Sequence, residues 1–387
     1  MIRSFKTLFS ILFFLAFFVM YGLVPLLFVD NNFSTYVNTM VVISILCTIT
    51  LIVVLNFPVI ISARLKYLRL RLTFQSTLFF FFCIFLFFNI LIIATAPTIP
   101  IIESLKGASP QDLDKAREDF LKGRTGIESA LAYIIGIINT TFIPYLIALG
   151  YVIKYKYRHI FATIFFLVSL VSLEKAYFLK IAIPLFIVFF YQAKNKKMLV
   201  IKAFFVTIAC FMLMYLATGF SQRDTTTSDE LFFSIGYGGS NPLEAMVWRS
   251  TVVPVITAFD GVRVFTTDFN SQLLWGRTST LFAALMGEER INFERHLYQE
   301  QFGGSGLGNA NQFYGIEAYI NFGYFGVVLF SMIIGYIVRE SIMTKDVALI
   351  SIILLLIYNL FNSGLIGNLF SNGYLFFLFF IAFVKIK

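Results

Sequence analysis

The hydrophobic pattern of this chain consists of long apolar segments separated by shorter polar connections. An α-helix needs about twenty apolar residues to cross the hydrocarbon core of a bilayer, and most of the segments reach or approach that length. The ten segments lie at 8–29, 36–62, 73–97, 129–153, 159–173, 176–192, 198–219, 312–338, 347–362 and 369–384. The pattern predicts an all-α polytopic membrane protein with about ten transmembrane helices.

Composition agrees with this prediction, because 59% of the residues are hydrophobic and only 13% are charged. A soluble globular protein would have about half apolar and a quarter charged residues. The first apolar segment follows basic residues, as in a signal peptide, but it is long and no small-residue cleavage site follows it. We interpret it as an anchoring first span, so that residues 1–387 form a single integral membrane domain.

Basic residues occur in every second connection between the segments, and loops rich in lysine and arginine remain in the cytoplasm. These residues are Arg3, Lys6, Arg64, Lys66, Arg69, Arg71, Lys154, Lys156, Arg158, Lys194, Lys196, Lys197, Arg339, Lys345, Lys385 and Lys387. Both termini are therefore predicted to be cytoplasmic, and the connections 98–128 and 220–311 to lie outside the cytoplasmic membrane. The net charge of +9 reflects this topology and gives no support for a nucleic-acid partner.

The two long outer connections have different patterns. Within the first, residues 110–121 (PQDLDKAREDFL) are amphipathic with mixed charges, which predicts a short helix at the membrane surface. Within the second, residues 248–265 are apolar although the connection is extramembrane, which predicts helices half sunk in lipid or packed over the spans. This second loop is expected to form a wall over an outward-facing cavity.

The 220–311 connection contains six arginines and no lysine. The planar guanidinium group grips phosphate through two hydrogen bonds, whereas a lysine ammonium group is only a point charge. Trp248 precedes Arg249, and Trp275 lies two residues before Arg277. The pattern predicts a site for a phosphorylated, sugar-like ligand. For any single arginine, an ion pair with one of the acidic residues of the loop is an equally good interpretation.

The hairpin formed by the two short segments at 159–192 carries Glu174 and Lys175 at its turn. Charges at that depth are costly unless they are paired or line a polar cavity. Either Glu174 pairs with Lys175 or Lys180, or the turn contacts a substrate. The sequence leaves both interpretations open.

Arginines on the outer face of a membrane have access to lipid-linked pyrophosphates that carry glycans. If the glycan is transferred, arginine can stabilise the pyrophosphate leaving group without a metal, and a carboxylate or imidazole can deprotonate the acceptor hydroxyl. Candidate bases in the loop are Glu244, Asp260, Asp268, Glu288, Glu289, Glu294 and His296, although an exposed surface histidine is an equally good interpretation of the last. No zinc, P-loop or nucleophile-elbow pattern is present, so no metal or cofactor is predicted.

Residues 311–338 (NQFYGIEAYINFGYFGVVLFSMIIGYIV) resemble the stretch that enters the membrane after the large outer loop of Wzy-type oligosaccharide repeat-unit polymerases, the O-antigen polymerases. The WGRTST segment at 275–280, the basic pair Arg290 and Arg295, and the hairpin SLEKAYFLKIAIPL at 172–185 are similar too. This resemblance implies a GT-C-type glycosyltransferase of the bacterial inner membrane. It would move a growing glycan from one undecaprenyl pyrophosphate to the nonreducing end of a repeat unit on another, in lipopolysaccharide or related polysaccharide biosynthesis.

The resemblance also implies roles for individual residues. The groups expected near the two pyrophosphates and the glycan are Lys175, Trp248, Arg249, Arg263, Trp275, Arg277, Arg290 and Arg295. Glu317 and Tyr319 would orient sugar hydroxyls or the arginines, and His296, Arg277 and Glu317 are the catalytic candidates. The chain has GEERINFERH where the family usually has a proline-arginine element, which leaves the roles of Arg290 and His296 open. Gly315, Gly323 and Gly326 are interpreted as sites of close helix packing.

Two other functions are compatible with this architecture. An O-antigen ligase uses the same donor and transfers the glycan to lipid A core, but its histidine usually lies shortly before a GxxG element, and His296 is far from Gly323–Gly326. A lipid-linked oligosaccharide flippase would have about twelve spans and short outer loops. Expected partners of a polymerase are the lipid-linked donor and acceptor, membrane lipid and a chain-length regulator protein.

Overall fold

The computed structural model of this chain describes residues 2–28, 34–57, 70–117, 119–120, 127–173, 175–202, 205–206, 208–209, 244, 248–302, 309–310 and 312–386. Within these ranges the protein is almost entirely helical. The predicted seventh apolar segment, 198–219, lies mostly outside them, as does the polar first part of the large outer loop.

The elements are as follows in chain order. The first are α1 (Ile2–Phe13), a π-helical segment (Phe14–Leu23), α2 (Val24–Phe28), α3 (Ser34–Asn56), β1 (Leu70–Leu72), α4 (Phe74–Thr95), α5 (Pro100–Leu105) and α6 (Pro110–Arg117). Next are α7 (Ile127–Ile137), a π-helical turn (Ile138–Phe142), α8 (Ile143–Val152), α9 (Arg158–Leu170), α10 (Lys175–Gln192) and a second π-helical turn (Trp248–Val252). The last are α11 (Val253–Thr267), α12 (Thr280–Met286), α13 (Phe293–Phe302), α14 (Tyr314–Met343), α15 (Val347–Asn362), α16 (Leu365–Phe370), α17 (Tyr374–Phe383) and β2 (Val384–Ile386).

Five helical stretches in the described part of the chain are long and apolar enough to cross a membrane: Ile2–Leu27, Ser34–Asn56, Phe74–Thr95, Ala130–Val152 and Tyr314–Met343. Shorter apolar helices occupy Arg158–Leu170, Leu179–Gln192, Val347–Asn362 and Tyr374–Phe383. The prediction of a helical membrane protein is therefore confirmed, and its short segments correspond to short helices.

Two helices extend beyond the ends of the predicted apolar segments and include the charged residues next to them. Arg3 and Lys6 belong to α1, and α14 continues past 338 through Arg339 to Met343. Lysine and arginine are good helix formers, and their long side chains can reach polar surroundings from the end of an apolar helix. A charged residue therefore marks the edge of an apolar segment without ending its helix.

Large apolar side chains on the long helices are exposed on the surface of the protein. On α4, for example, Phe79, Phe87 and Ile90 are 68%, 62% and 63% exposed, and on α14 Phe325 is 75% exposed. Water would disfavour an apolar surface of this extent. Such a surface is typical of helices that face lipid.

The chain divides into two compact units. The first comprises Met1–Val59, Gln222–Lys345 and Ile357–Asn368, and the second comprises Ile60–Ser221, Asp346–Leu356 and Leu369–Lys387. The first unit contains the described part of the outer loop 220–311, together with α1 to α3 and α14.

In the first unit, α14 packs along α3 and against α1, and the π-helical segment that follows α1 also packs against α3. The rings of Tyr21 and Phe313 stack with their centroids 4.0 Å apart, and Phe17 meets Tyr314 edge to face at 5.2 Å. A side chain at Gly315 would place its Cβ 2.9 Å from the Sγ of Cys47 on α3, so this glycine permits close helix packing as predicted.

Helix α11 is buried along almost its whole length, from Pro254 to Phe265. Its Phe259 ring meets Tyr36 of α3 edge to face at 6.0 Å. This helix comes from the apolar part of the connection 220–311, and within the first unit it packs against α3.

A kink at Gly323 divides α14, because this residue has φ 64° and ψ −159° while the flanking residues are helical. The nearest side-chain atoms to a Cβ at this position would be those of Leu273, at 3.8 Å or more. Gly323 is therefore required for its backbone conformation, and its interpretation as a packing glycine was wrong. Gly326 also allows a close approach, but within its own helix across the kink, since its Cβ would approach Phe322 and Ala318 to 2.5 and 2.6 Å.

The second unit is held together by phenylalanines. Phe142 stacks on Phe81 at 4.6 Å and meets Phe377 edge to face at 5.6 Å. Strands β1 and β2 form a short parallel pair in which Arg71 lies opposite Lys385. The hydrophobic pattern did not predict these strands, because three residues are too few to show a period. The amphipathic segment at 110–121 is helical over Pro110–Arg117, as predicted.

Candidate functional site

Residues 274–278 of the outer loop are attached to the kink in α14. The backbone NH groups of Leu274 and Trp275 donate to the carbonyls of Ile320 and Asn321 at 3.1 and 2.9 Å. The kink at Gly323 directs the next residues of α14 away from these carbonyls, so they are available to the loop. The WGRTST segment is thus held against the first part of α14.

Asn321 makes this attachment specific. Its Oδ1 accepts from the NH of Gly276 at 2.9 Å, and its Nδ2 donates to Thr278 Oγ1 at 2.9 Å and to the carbonyl of Glu317 at 2.8 Å. Asn321 is completely buried. The sequence analysis missed this residue, although a polar side chain four positions after Glu317 in an apolar segment was a usable indication.

Arg277 has a structural ion pair. Its Nη1 lies 2.7 Å from Glu288 Oε2, and its side chain is one-third exposed. The carbonyl of Arg277 also accepts from the NH of Ile291 at 2.9 Å. The residue therefore joins the segment before α12 to the segment after it.

Arg290 lies on the wall of a small, partly open cavity. Its Nε donates to the carbonyl of Thr278 at 3.1 Å, and none of the ion pairs among the described residues includes it. The cavity is lined by Thr278, Arg290, Asn292, Phe293, Glu294, Gln312, Glu317 and Ile320. A guanidinium group, two carboxylates and several neutral hydrogen-bonding groups thus share one small space.

Glu317 enters this cavity from α14 and is held in place by α16. Its Oε2 accepts from the NH groups of Leu365 and Ile366 at 2.6 and 3.3 Å. Gly364 is necessary for this approach, because a Cβ there would lie 2.4 Å from Glu317 Cδ. Gln312 contributes a buried Oε1 with no hydrogen-bond partner among the described residues.

Arg263 also has a structural ion pair. Its Nε lies 3.2 Å from Asp260 Oδ1, and Gln301 donates to Asp260 Oδ2 at 3.0 Å. Burial raises the pKa of the Asp260 carboxyl, and the hydrogen bond from Gln301 and the charge of Arg263 partly oppose this shift. Two interpretations were open for each arginine, a ligand contact or an ion pair. For Arg263 and Arg277 the structure shows an ion pair.

His296 faces Asp268 and is absent from the lining of the cavity. Its Nε2 lies 2.7 Å from Asp268 Oδ2, and Phe269 meets its ring edge to face at 5.5 Å. Burial would raise the pKa of Asp268, but hydrogen bonds from Thr267 and His296, together with positive charge nearby, keep it below its ordinary value. Glu300 completes a group of three possible metal ligands.

The other predicted residues are dispersed. Trp275 is 58% exposed beside Phe322, and Tyr319 packs between Phe265 and Tyr324. Trp248 and Arg295 are half-buried. Glu174 and the side chains of Lys175 and Arg249 lie outside the described residues.

The second unit has a small cavity of its own. Its polar lining consists of Asn89, Asn139, Ser169 and Ser172, without a charged side chain among its described lining residues. Asn139 lies in the π-helical turn between α7 and α8 and is buried. This neutral lining contrasts with the charged cavity of the first unit.

Comparisons of the chain with protein-family models, with curated proteins and with solved structures gave no match. The interpretation of the site therefore depends on its own geometry and charge.

Proposed function

We propose that this protein is a glycosyltransferase that polymerises undecaprenyl-pyrophosphate-linked oligosaccharide repeat units on the outer face of the bacterial cytoplasmic membrane. The observation that carries the proposal is the cavity of the first unit, where Arg290 faces the same space as Glu294 and Glu317. A guanidinium group suits a pyrophosphate, a carboxylate suits a hydroxyl that must lose a proton, and the neutral groups suit a sugar.

In the proposed reaction, a hydroxyl at the nonreducing end of the acceptor attacks the anomeric carbon of the donor glycan. The bond from that carbon to the pyrophosphate oxygen breaks, and undecaprenyl pyrophosphate leaves with the electron pair. A carboxylate takes the hydroxyl proton, and Glu317 and Glu294 are the candidates because both line the cavity. Arg290 stabilises the charge that develops on the leaving group, so no metal is required for that step. His296 is a less suitable base, since it is paired with Asp268 away from this lining.

The proposed topology has ten spans in a GT-C-like arrangement with the loop 220–311 outside. Two contacts within the second unit agree with the sides that it assigns to the connections of that unit. Arg71 and Lys385, both predicted to be cytoplasmic, lie opposite each other in the strand pair. The NH of Ile101, in the first outer connection, donates to the carbonyl of Val171 near the outer turn of the hairpin at 3.3 Å. Residues predicted on the same side of the membrane thus meet in both cases.

The decisive experiment uses a strain that lacks this gene and is complemented with variants, and reads the length of its surface glycolipid on a gel. Arg290→Lys keeps the charge but loses the planar fork, so we expect long chains to be replaced by core lipid with a single repeat unit. Glu317→Gln should give the same pattern, with polymerisation reduced by roughly 100-fold or more. Arg158→Lys, a cation on the opposite predicted side of the membrane, is the matched control and should retain long chains.

The deletion strain itself separates polymerase from other functions. Bare core with free lipid-linked polymer would indicate a ligase, and bare core with single repeat units trapped on the cytoplasmic face would indicate a flippase. Normal chain length in the deletion strain would refute all three. Normal chain length with Arg290→Lys and Glu317→Gln would refute the assignment of this cavity as the active site.

A further inference from the structure

Three side chains with metal-binding groups converge at the ends of two outer helices. Asp268 directly follows α11, while His296 and Glu300 lie four residues apart and therefore on the same face of α13. One ligand atom from each residue lies within 4.8 Å of the others, and the Asp268–His296 distance is 2.7 Å. None of the three lines the cavity assigned to glycosyl transfer.

We propose that Asp268, His296 and Glu300 bind one divalent cation of the zinc type. An imidazole nitrogen with two carboxylate oxygens suits a borderline ion better than magnesium, which prefers oxygen ligands alone. Tetrahedral zinc holds its ligands at about 2.0–2.2 Å, which places the ligand atoms about 3.4 Å apart. To bind the ion, Asp268 Oδ2 and His296 Nε2, now 2.7 Å apart, must separate slightly, and the Glu300 carboxylate must move toward them. A water molecule can be the fourth ligand of the ion.

The surroundings of these residues favour such an ion. Asp268 and His296 are 33% and 39% exposed, so the ion has access and the side chains have room to adjust. Thr267 Oγ1 donates to Asp268 Oδ1 at 2.7 Å, which leaves Oδ2 for the metal and orients the carboxylate. Arg263, the nearby cation, is paired with Asp260 at 3.2 Å, so two carboxylates remain to balance the charge of the ion.

The bound ion would join the end of α11 to α13. Helix α13 begins with Phe293 and Glu294, which line the charged cavity, so the ion would brace one wall of that cavity without touching a substrate. This role is independent of the reaction proposed above. It also revises the expectation from sequence that the chain has no metal site.

The test uses the full-length chain purified in detergent with a histidine-free affinity tag, stripped with EDTA and titrated with ZnCl₂ by calorimetry. We expect one Zn²⁺ per chain and a rise in Tm on zinc addition, with no binding of Mg²⁺ at the same concentration. His296→Gln and Glu300→Gln should lose this binding, whereas Thr267→Val should weaken it by roughly 10–100-fold. His296→Cys, which restores a zinc ligand, should bind again and so shows that loss in His296→Gln is not misfolding.

Two matched controls use groups of the same chemistry elsewhere. His159→Gln changes the other histidine of the chain, and Glu289→Gln changes an exposed carboxylate between α12 and α13; both should bind zinc like the wild type. The proposal is overturned if the wild type binds no zinc, or if His296→Gln and Glu300→Gln bind it as the wild type does. Because the readout is binding, it is unaffected by whether the protein is a polymerase.

Discussion

At the scale of the residue, Asn321 holds three parts of the candidate site together through one side chain. It connects the turn at Gly276, the cavity residue Thr278 and the backbone of Glu317. A buried amide that bonds at both ends cannot be replaced by an apolar group without leaving partners unsatisfied. The geometry of the cavity therefore depends on a residue that does not line it.

Asn321→Ala tests this dependence. Each buried group that loses its partner costs about 1–3 kcal/mol, so we expect the Tm of the purified protein to fall by at least ~4 °C. Asn56→Ala is the matched control, because Asn56 is exposed and donates only to the carbonyl four residues earlier on its own helix. An equal and small effect of the two substitutions would contradict the central role of Asn321.

The arginines also differ at this scale. Arg263 and Arg277 form ion pairs with Asp260 and Glu288, and among the loop arginines whose side chains are described Arg290 lines the cavity. The lysine-free composition identified the group but could not separate its members, because all have the same local pattern. Asp260 lies three residues from Arg263, within one turn of the same helix. Glu288 lies 11 residues from Arg277, so this ion pair requires the chain to fold back on itself.

At the scale of the element, the kink in α14 creates the attachment point for the outer loop. A straight helix would use the carbonyls of Ile320 and Asn321 internally, whereas here they accept from Leu274 and Trp275. The kink is possible because Gly323 has a positive φ with an extended ψ, a region that other residues rarely adopt. One glycine thus couples the membrane helix to the site.

Gly323→Ala is predicted to destabilise the protein by about 1–3 kcal/mol through backbone strain, because no side chain lies close enough to clash with the new methyl group. The measurement is thermal unfolding in detergent, followed by helix circular dichroism. Gly367→Ala is the control, since a Cβ there meets nothing within 4 Å and Gly367 lies within α16. Equal Tm values for Gly323→Ala and the wild type would show that the kink is not needed for stability.

At the scale of the whole molecule, function in the proposed reaction requires the charged cavity and the basic connections to lie on opposite sides of the membrane. Leu285 of α12 is 74% exposed in the outer loop, whereas Arg71 and Lys385 are exposed on the strand pair. The alternating distribution of basic residues predicts that Leu285 lies outside the cytoplasmic membrane and that Arg71 and Lys385 lie in the cytoplasm.

Single cysteines at these positions, in a background without Cys47, Cys83 and Cys210, test the orientation. We expect a membrane-impermeant maleimide to label Leu285→Cys in intact cells, and Arg71→Cys and Lys385→Cys only after permeabilisation. A double variant with cysteines at 71 and 385 should be joined by a short bifunctional maleimide, because these positions are paired in register. Labelling of all three in intact cells would refute the proposed topology.

Local sequence patterns were sufficient to predict that this chain forms apolar membrane helices, and they indicated the amphipathic helix α6 and the apolar stretch that forms α11. These properties depend on composition and periodicity over one helix length, which a local stretch of sequence contains in full. Glu317 became a candidate only through the family resemblance of residues 311–338, and no local pattern of charge singled it out.

Which side chains lie close together could be seen only in the folded chain. Glu317 accepts from Leu365, 48 residues away, Asn321 binds a loop 45 residues earlier, and β1 pairs with β2 at the far end of the chain. Such pairs depend on the path of the whole backbone, so no local pattern specifies them. The same is true of the approach of His296 to Asp268, which separates the histidine from the cavity and brings it to a group of metal ligands.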